Sequence, residues 1–141
     1  MELIPINDTV KAPAERFTGD VYPTMIKTPE PPSRLVSAMV RFTPGARSNW
    51  HSHALGQTLH VTEGVGLVVN RNGQVIRMRA GDTVWTPPGE EHWPGGTAEN
   101  FMCHFAVVEG VDDGDGTNWL EPVSDDDYRT ATAQKGRHPN E

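Results

Sequence analysis

The sequence is poor in the features that define several common classes of protein. Cysteine occurs once, at Cys103, so no disulfide can form within the chain. No run of apolar residues is long enough to span a membrane, and the N terminus has neither the basic segment nor the apolar run of a signal peptide. We therefore expect a cytoplasmic protein that does not associate with membranes.

Positive charge is also scarce. The 12 Lys and Arg residues are outnumbered by 19 Asp and Glu residues, which gives a formal net charge of -7. Binding to nucleic acid requires clustered Lys and Arg to contact phosphates, and runs such as 112–115 and 125–127 are acidic instead. We therefore expect a small-molecule substrate and no nucleic-acid partner.

The apolar spacing of an amphipathic helix is not sustained in any window, whereas turn-forming residues are common, with 14 Gly and 12 Pro. Residues 34–43 alternate in the manner of a strand, and the Asn72-Gly73 pair is a strong hairpin signal. Further strand-like runs lie at 45–53, 57–63, 65–70, 74–79, 82–87 and 98–108. Short, closely spaced strands of this kind predict an all-β sandwich or barrel.

The chain divides into three parts around this predicted barrel. Residues 1–14 form an irregular arm, and residues 15–123 form the barrel domain. Ser124 with Asp127 three residues later resembles a helix start, which predicts a short helix over 124–132. The polar tail over 133–141 is expected to fray.

The histidines supply the main chemical signal. His51 and His53 are two residues apart, so on a strand both rings point to the same side. Gln57 follows after a short turn, and His92 follows the tight turn at 87–89. Three imidazoles and an amide oxygen form a mixed nitrogen and oxygen set suited to one first-row divalent cation with open coordination positions. A three-His site in which Gln57 has only a structural role is the alternative.

The residues that frame these ligands resemble both motifs of the cupin superfamily, in order and spacing. The matching positions are Gly45, His51, His53, Gly64, Gly81, Pro87, Gly89 and His92. The resemblance implies a cupin barrel, that is, a double-stranded β-helix or jelly roll. The chain departs from the usual motifs in having Gln57 in place of Glu and Gly96 in place of Asn. With Gln57 the site keeps close to the full +2 charge of its ion and favours anionic ligands.

A closer resemblance is to small bacterial cupins that include manganese-dependent hydroxynitrile lyases. It is carried by stretches such as Trp50-His51-Ser52-His53, Leu55-Gly56-Gln57-Thr58, Pro88-Gly89-Glu90-Glu91-His92-Trp93 and Asn118-Trp119. It implies His51, His53, Gln57 and His92 as metal ligands, with Mn(II) favoured over Fe(II), Ni(II) or Zn(II). It also implies that His104 acts near the metal, and that the protein forms a homodimer or homotetramer.

Strand parity supplies a candidate substrate pocket. Met102, His104 and Val108 share one face of a predicted strand, and Val40 and Phe42 share one face of another. The predicted pocket residues are Ala38, Val40, Phe42, Ser48, Met102 and Val108. His104 is the predicted general base, although a histidine at such a position can also be a core residue satisfied by the backbone. His60 has the opposite parity from Gln57 and is expected off the site.

Three functions are compatible with this arrangement. The first is a metal-dependent lyase, specifically a hydroxynitrile lyase that cleaves a cyanohydrin. The second is an Fe(II)-dependent dioxygenase, since three-His sites with open positions can activate oxygen. The third is a non-enzymatic cupin that binds a metal or small ligand.

Overall fold

The computed structural model describes residues 1–134, which contain eleven strands and one helix. The strands are β1 Phe17–Thr18, β2 Val21–Lys27, β3 Leu35–Phe42, β4 Arg47–Ser48, β5 His51–His53, β6 Gln57–Asn70, β7 Val75–Arg79, β8 Thr83–Thr86, β9 His92–Gly96, β10 Met102–Glu109 and β11 Thr117–Trp119, and the helix is α1 Asp125–Ala133. His138 and nearly all of the expected frayed tail lie outside the described residues.

The strands form two antiparallel sheets that face each other as a nearly closed barrel. In the first sheet the order is β2-β3-β10-β6-β8. In the second sheet β6 lies between β7 and β9, while β4 and β5 pair with the far side of β9. Strand β1 pairs with β4, and β11 pairs with β5. The predicted all-β barrel is therefore confirmed.

Strand β6 belongs to both sheets, and this differs from the two separate strands predicted over 57–63 and 65–70. Gly64 has φ +79°, and a Cβ built on it would lie 2.0 Å from the Phe101 carbonyl oxygen. Glycine at this position lets the strand bend from one sheet into the other without a break. The turn signal at Gly64 thus marks a bend within one strand.

The inner face of the first sheet is built by strict alternation. Val36, Ala38, Val40 and Phe42 of β3 lie opposite Val108, Ala106, His104 and Met102 of β10, and both sets face the barrel interior. The apolar core at one end of the barrel includes Phe42, Leu59, Val61, Met78 and Met102, all with 1% or less of their surface exposed. This core leaves the other end of the same inner face to line a cavity.

Segment 9–12 and the C-terminal helix pack on the outside of the barrel. Residues 9–12 run antiparallel to β2, with the Ala12 amide donating to the Val21 carbonyl at 2.8 Å, so part of the arm predicted as irregular adds to the sheet edge. Helix α1 begins one residue after the predicted start, and its N-cap Ser124 accepts a hydrogen bond from the Asp127 amide at 3.1 Å. Buried Arg47 ties the helix to the barrel through Asp125 at 2.7 Å.

The predicted strand over 98–108 begins later than expected, at Met102. Residues 97–100 form a turn instead, in which the Thr97 hydroxyl accepts a hydrogen bond from the Asn100 amide at 2.8 Å. In residues 1–134 there is no helix with the length and apolar character needed to cross a membrane.

Candidate metal centre

Three buried histidines meet where β5 and β9 pair. His51 and His53 lie on β5, and His92 is the first residue of β9, directly opposite His51 in the register. Each ring offers one nitrogen that lies within 4.8 Å of the nitrogens offered by the other two. Because alternate residues of a strand share a face, β5 directs both of its rings toward the strand that carries the third.

Hydrogen bonds fix the orientation of two of these rings. The Nδ1 atom of His51 lies 2.9 Å from the Asn49 carbonyl oxygen, and the Nδ1 atom of His92 lies 2.9 Å from the Glu90 carbonyl oxygen. A carbonyl oxygen can only accept, so each Nδ1 carries the proton and each Nε2 keeps its lone pair. This arrangement is typical of histidines that bind a metal through Nε2.

The third ring is held by a side chain. The Nδ1 atom of His53 lies 3.1 Å from the Thr117 hydroxyl oxygen. Its Nε2 atom is buried and has no hydrogen-bond partner among residues 1–134. A buried polar atom without a partner is costly, and a bound cation would satisfy it.

Gln57 supplies a fourth candidate ligand, and its side-chain oxygen lies close to a second hydrogen-bond acceptor. Its Oε1 atom lies 3.1 Å from the Nε2 atom of His92. That nitrogen has no proton when Nδ1 donates to Glu90, so two acceptors face each other at this distance. A cation that binds both atoms removes the repulsion, and the donor set suits a divalent first-row metal. The residues present therefore fit the expected ion.

Burial keeps all of these rings neutral. Desolvation is the largest cause that lowers the pKa of His51 to about 3 and that of His53 to about 4, and the repulsion that each protonated ring would meet from a protonated His92 adds to both shifts. Desolvation also lowers the pKa of His92. Neutral imidazoles are the form that binds metals, so the site is ready for an ion at neutral pH.

His104 lies on β10, beside the three rings but outside their cluster. Its side chain is 2% exposed, packs edge-on against Phe42 with ring centroids 5.3 Å apart, and has a buried Nδ1 with no partner in the described part of the chain. Desolvation, followed by the charge of His92, lowers its pKa to about 3. The structure therefore does not give this histidine the backbone partner that a purely structural role would provide for Nδ1.

A cavity of about 180 Å³ opens beside these groups. His51, His53, Gln57 and His104 line it, together with five of the six predicted pocket residues, which are Ala38, Val40, Phe42, Ser48 and Val108. A second cavity of about 240 Å³ touches His92 from the side of β7 and β8, but its lining includes none of these four polar groups. The smaller cavity is therefore the better candidate for a substrate site.

Met102 corrects the sequence prediction. It shares the inward face of β10 as expected, but it is fully buried in the core rather than placed in the cavity lining. It lies opposite Gly64 and fills the space above Gly66, where a built Cβ would be 2.2 Å from its sulfur. Because Gly66 has no side chain, the Met102 side chain has room to pack in the core.

Several residues that line the cavity were not predicted from the sequence to do so. Trp119 lies against His51 with ring centroids 4.8 Å apart, and Asp115, Thr117, Phe17 and Pro94 also line the cavity. The alternation of Thr117 and Trp119 behind a glycine-rich turn was the available signal, but three residues are too short for a reliable strand. His60, by contrast, is exposed on the outer face, where its Nδ1 lies 2.8 Å from the Thr83 hydroxyl.

Comparisons with known proteins agree with this geometry. A family model described as "Cupin domain" matches residues 38–109. The chain is 43% identical over 119 residues to an (R)-mandelonitrile lyase from Granulicella tundricola, covering 84% of this chain and 90% of that protein.

Solved structures show the same fold. A cupin-like protein from Thermotoga maritima superposes with a TM-score of 0.84 at 32% identity, over 96% of this chain and all of that one. A polyketide cyclase from Streptomyces resistomycificus superposes with a TM-score of 0.69 at 19% identity, over 92% and 91% of the two chains. The second match supports the fold alone, because one fold can carry different chemistries.

Proposed function

The chain belongs to the cupin family, and from this premise we propose that it is a metal-dependent hydroxynitrile lyase, which cleaves a cyanohydrin to an aldehyde and hydrogen cyanide and also catalyses the reverse addition. The observation that carries the proposal is the meeting of unprotonated ring nitrogens and the Gln57 oxygen beside an apolar cavity that also contains His104. The mandelonitrile lyase from Granulicella tundricola supports the choice of reaction.

Four residues would hold one divalent ion, for which we favour Mn(II). They are His51, His53, Gln57 and His92. When bound, the ion supplies a positive charge that stabilises negative charge developing on the substrate. Imidazole and amide ligands are all neutral, so the protein does not reduce that charge.

His104 is the proposed general base. In the cleavage direction its neutral ring takes the proton from the cyanohydrin hydroxyl, the oxygen electrons form the carbonyl bond, and the carbon–carbon bond breaks so that cyanide leaves with the electron pair. The proton then passes from the imidazolium to cyanide, which leaves as HCN. The lowered pKa keeps the ring neutral before the reaction, so the ring has a nitrogen lone pair with which to take the proton.

The apolar wall of the cavity determines the proposed substrate class. Val36, Ala38, Val40, Ala106 and Val108 provide aliphatic surface opposite the polar groups. A cavity of about 150 Å³ holds a benzene ring, so 180 Å³ accommodates the body of an aromatic or medium aliphatic cyanohydrin. We propose mandelonitrile as a suitable test substrate.

Two variants test these roles separately. His104→Ala should retain its metal and fold but lose cleavage of mandelonitrile by about 10²–10⁴-fold. His92→Ala should lose metal and cleavage together, as measured by metal analysis of dialysed protein and by benzaldehyde release. Wild-type rates in His104→Ala would exclude the proposed base. Oxygen uptake by the Fe(II)-loaded protein, with no cleavage under Mn(II), would favour a dioxygenase instead.

We also propose that the protein works as a homodimer or larger assembly. The N-terminal arm exposes Leu3 and Ile6 almost completely, and Leu35 and Trp85 on strands of the first sheet are each more than half exposed. Burying such apolar surface between copies is favourable, which supports association.

A further inference from the structure

In the described part of the chain, the cavity lining contains one residue of the charged types Asp, Glu, Lys and Arg. Within residues 1–134, Asp115 is the only carboxylate in this lining, which contains neither Lys nor Arg. Its side chain is exposed, whereas the histidines and Gln57 are buried, so it lies on the solvent side of the cavity. Any molecule that enters by this side meets a negative charge before it meets the ligands.

Asp115 is held in place by the chain around it. Its Oδ1 accepts a hydrogen bond from the Thr117 amide at 2.9 Å, and the Gly116 carbonyl accepts one from the Ala54 amide at 2.9 Å. Thr117 pairs with His53 in the register of β11 and β5. The Asp115 carboxylate is thus held two residues before Thr117, which pairs with the proposed ligand His53.

Its field reaches the ligands. Asp115 lines the same cavity as His51, His53 and Gln57, so its charge faces the ligand side chains across that opening. Apolar cavity walls concentrate such a field along the opening, which strengthens it relative to a charge on an open surface.

This placement matters because the proposed ligands do not neutralise their ion. A divalent cation held by three imidazoles and an amide attracts anions strongly, including cyanide, which is the conjugate base of a product. We propose that Asp115 is a specificity-determining residue that disfavours anions in the cavity and admits uncharged substrates and HCN. The cyanohydrin part of this inference rests on the proposed function.

Azide is a suitable probe, because it is a small linear anion like cyanide and binds open metal positions without any turnover. The Co(II)-loaded protein would be titrated with azide at pH 7.5 and low salt, with binding followed by visible absorption. Asp115→Asn removes the charge but keeps an oxygen that can accept from the Thr117 amide. We expect it to bind azide roughly three- to tenfold more tightly than wild type, with a smaller difference at 0.5 M salt.

Asp113→Asn is the matched control, since it removes the same charge from the same loop at a residue outside the cavity lining. It should stay within about twofold of wild type, because exposed charges farther away are screened. Equal azide affinity in wild type and Asp115→Asn at low salt would overturn the proposal. Equal tightening in both variants would also overturn it, because the effect would then be one of net charge.

A second readout uses the reaction itself. The cleavage efficiency for mandelonitrile bearing a ring carboxylate, divided by that for mandelonitrile, should rise in Asp115→Asn relative to wild type. If no cyanohydrin is cleaved by wild type but the azide affinities shift as expected, the lyase proposal fails and the selectivity against anions stands. If both are cleaved in an unchanged ratio and azide affinity is also unchanged, the role of Asp115 is wrong and the lyase proposal is unaffected.

Discussion

Mild acid should destabilise the metal-free protein through its buried histidines. Desolvation is the main cause that lowers the pKa of His51 and His104 to about 3 and that of His53 to about 4. In the unfolded chain each returns to about 6.5. Above pH 6.5 these histidines are neutral in both the folded and the unfolded protein. Between pH 6.5 and the lower pKa values of the folded protein, only the unfolded chain binds protons at these histidines. The free energy of unfolding therefore falls as the pH falls through this range.

The size of the effect follows from the shifts. Consider a histidine with a pKa near 3 or 4 in the folded protein and 6.5 in the unfolded chain. At pH 5.5 it lowers the free energy of unfolding by about 1.4 kcal/mol relative to high pH. Together the three histidines lower the free energy of unfolding by at most about 4 kcal/mol. The decrease is smaller if the first protonation opens the site, because the remaining histidines are then less desolvated. This is a large part of the stability of a small domain, which is typically about 5–15 kcal/mol.

Urea unfolding of chelator-treated protein at pH 7.5 and 5.5 measures this loss. At pH 5.5 most carboxylates remain ionised, so the histidines dominate the difference. His104→Leu should reduce the loss by about 1.4 kcal/mol, while His60→Gln, at an exposed position, should leave it as in wild type. A free energy of unfolding that is the same at both pH values, to within about 1 kcal/mol, would show that the buried histidines do not make folding dependent on pH in this range.

The Gln57 ligand, the close packing at Gly66 and the proposed assembly can each be tested by one measurement. Gln57→Glu should hold its metal at least as tightly as wild type but change the cleavage rate, because it adds a negative charge; metal loss on dialysis would contradict a direct ligand role. Gly66→Ala should lower the thermal midpoint, at a cost of about 1–3 kcal/mol, because its Cβ would lie 2.2 Å from the Met102 sulfur and 2.6 Å from the Gly95 carbonyl oxygen; an unchanged midpoint would show that the neighbours can move. Light scattering should report at least twice the 15.5 kDa chain mass, and a monomer at micromolar concentration would contradict the proposed assembly.

The predictable parts of the fold are those where local pattern and tertiary packing agree. Residues 34–43 alternate, and the observed strand Leu35–Phe42 directs Ala38, Val40 and Phe42 into the barrel. The Asn72-Gly73 signal corresponds to the turn between β6 and β7, in which the Gly73 amide donates to the Asn70 carbonyl at 3.1 Å. In both places each short-range preference supports the global arrangement.

The features of the fold that were not predicted depend on residues that are distant in the sequence but adjacent in the structure. Strand β9 reads His-Trp-Pro-Gly-Gly, which has poor strand propensity, yet it pairs with β6 along its whole length. Strand β11 exists because β5 provides a partner for its three residues. Met102 has the right parity for the cavity but lies deeper, because the space above Gly66 is visible only once β6 and β10 are paired. Periodicity gives the face of a strand, but depth depends on the residues packed against it.

The most direct test of metal-dependent cyanohydrin cleavage is the rate of (R)-mandelonitrile cleavage by protein that has been stripped of metal and then titrated with Mn(II). We expect little cleavage by the stripped protein and a rate that rises to a plateau at one Mn(II) per chain, with no rise in His92→Ala. A rate that does not depend on added metal, or no cleavage at any Mn(II) level by a folded protein that binds the ion, would contradict it.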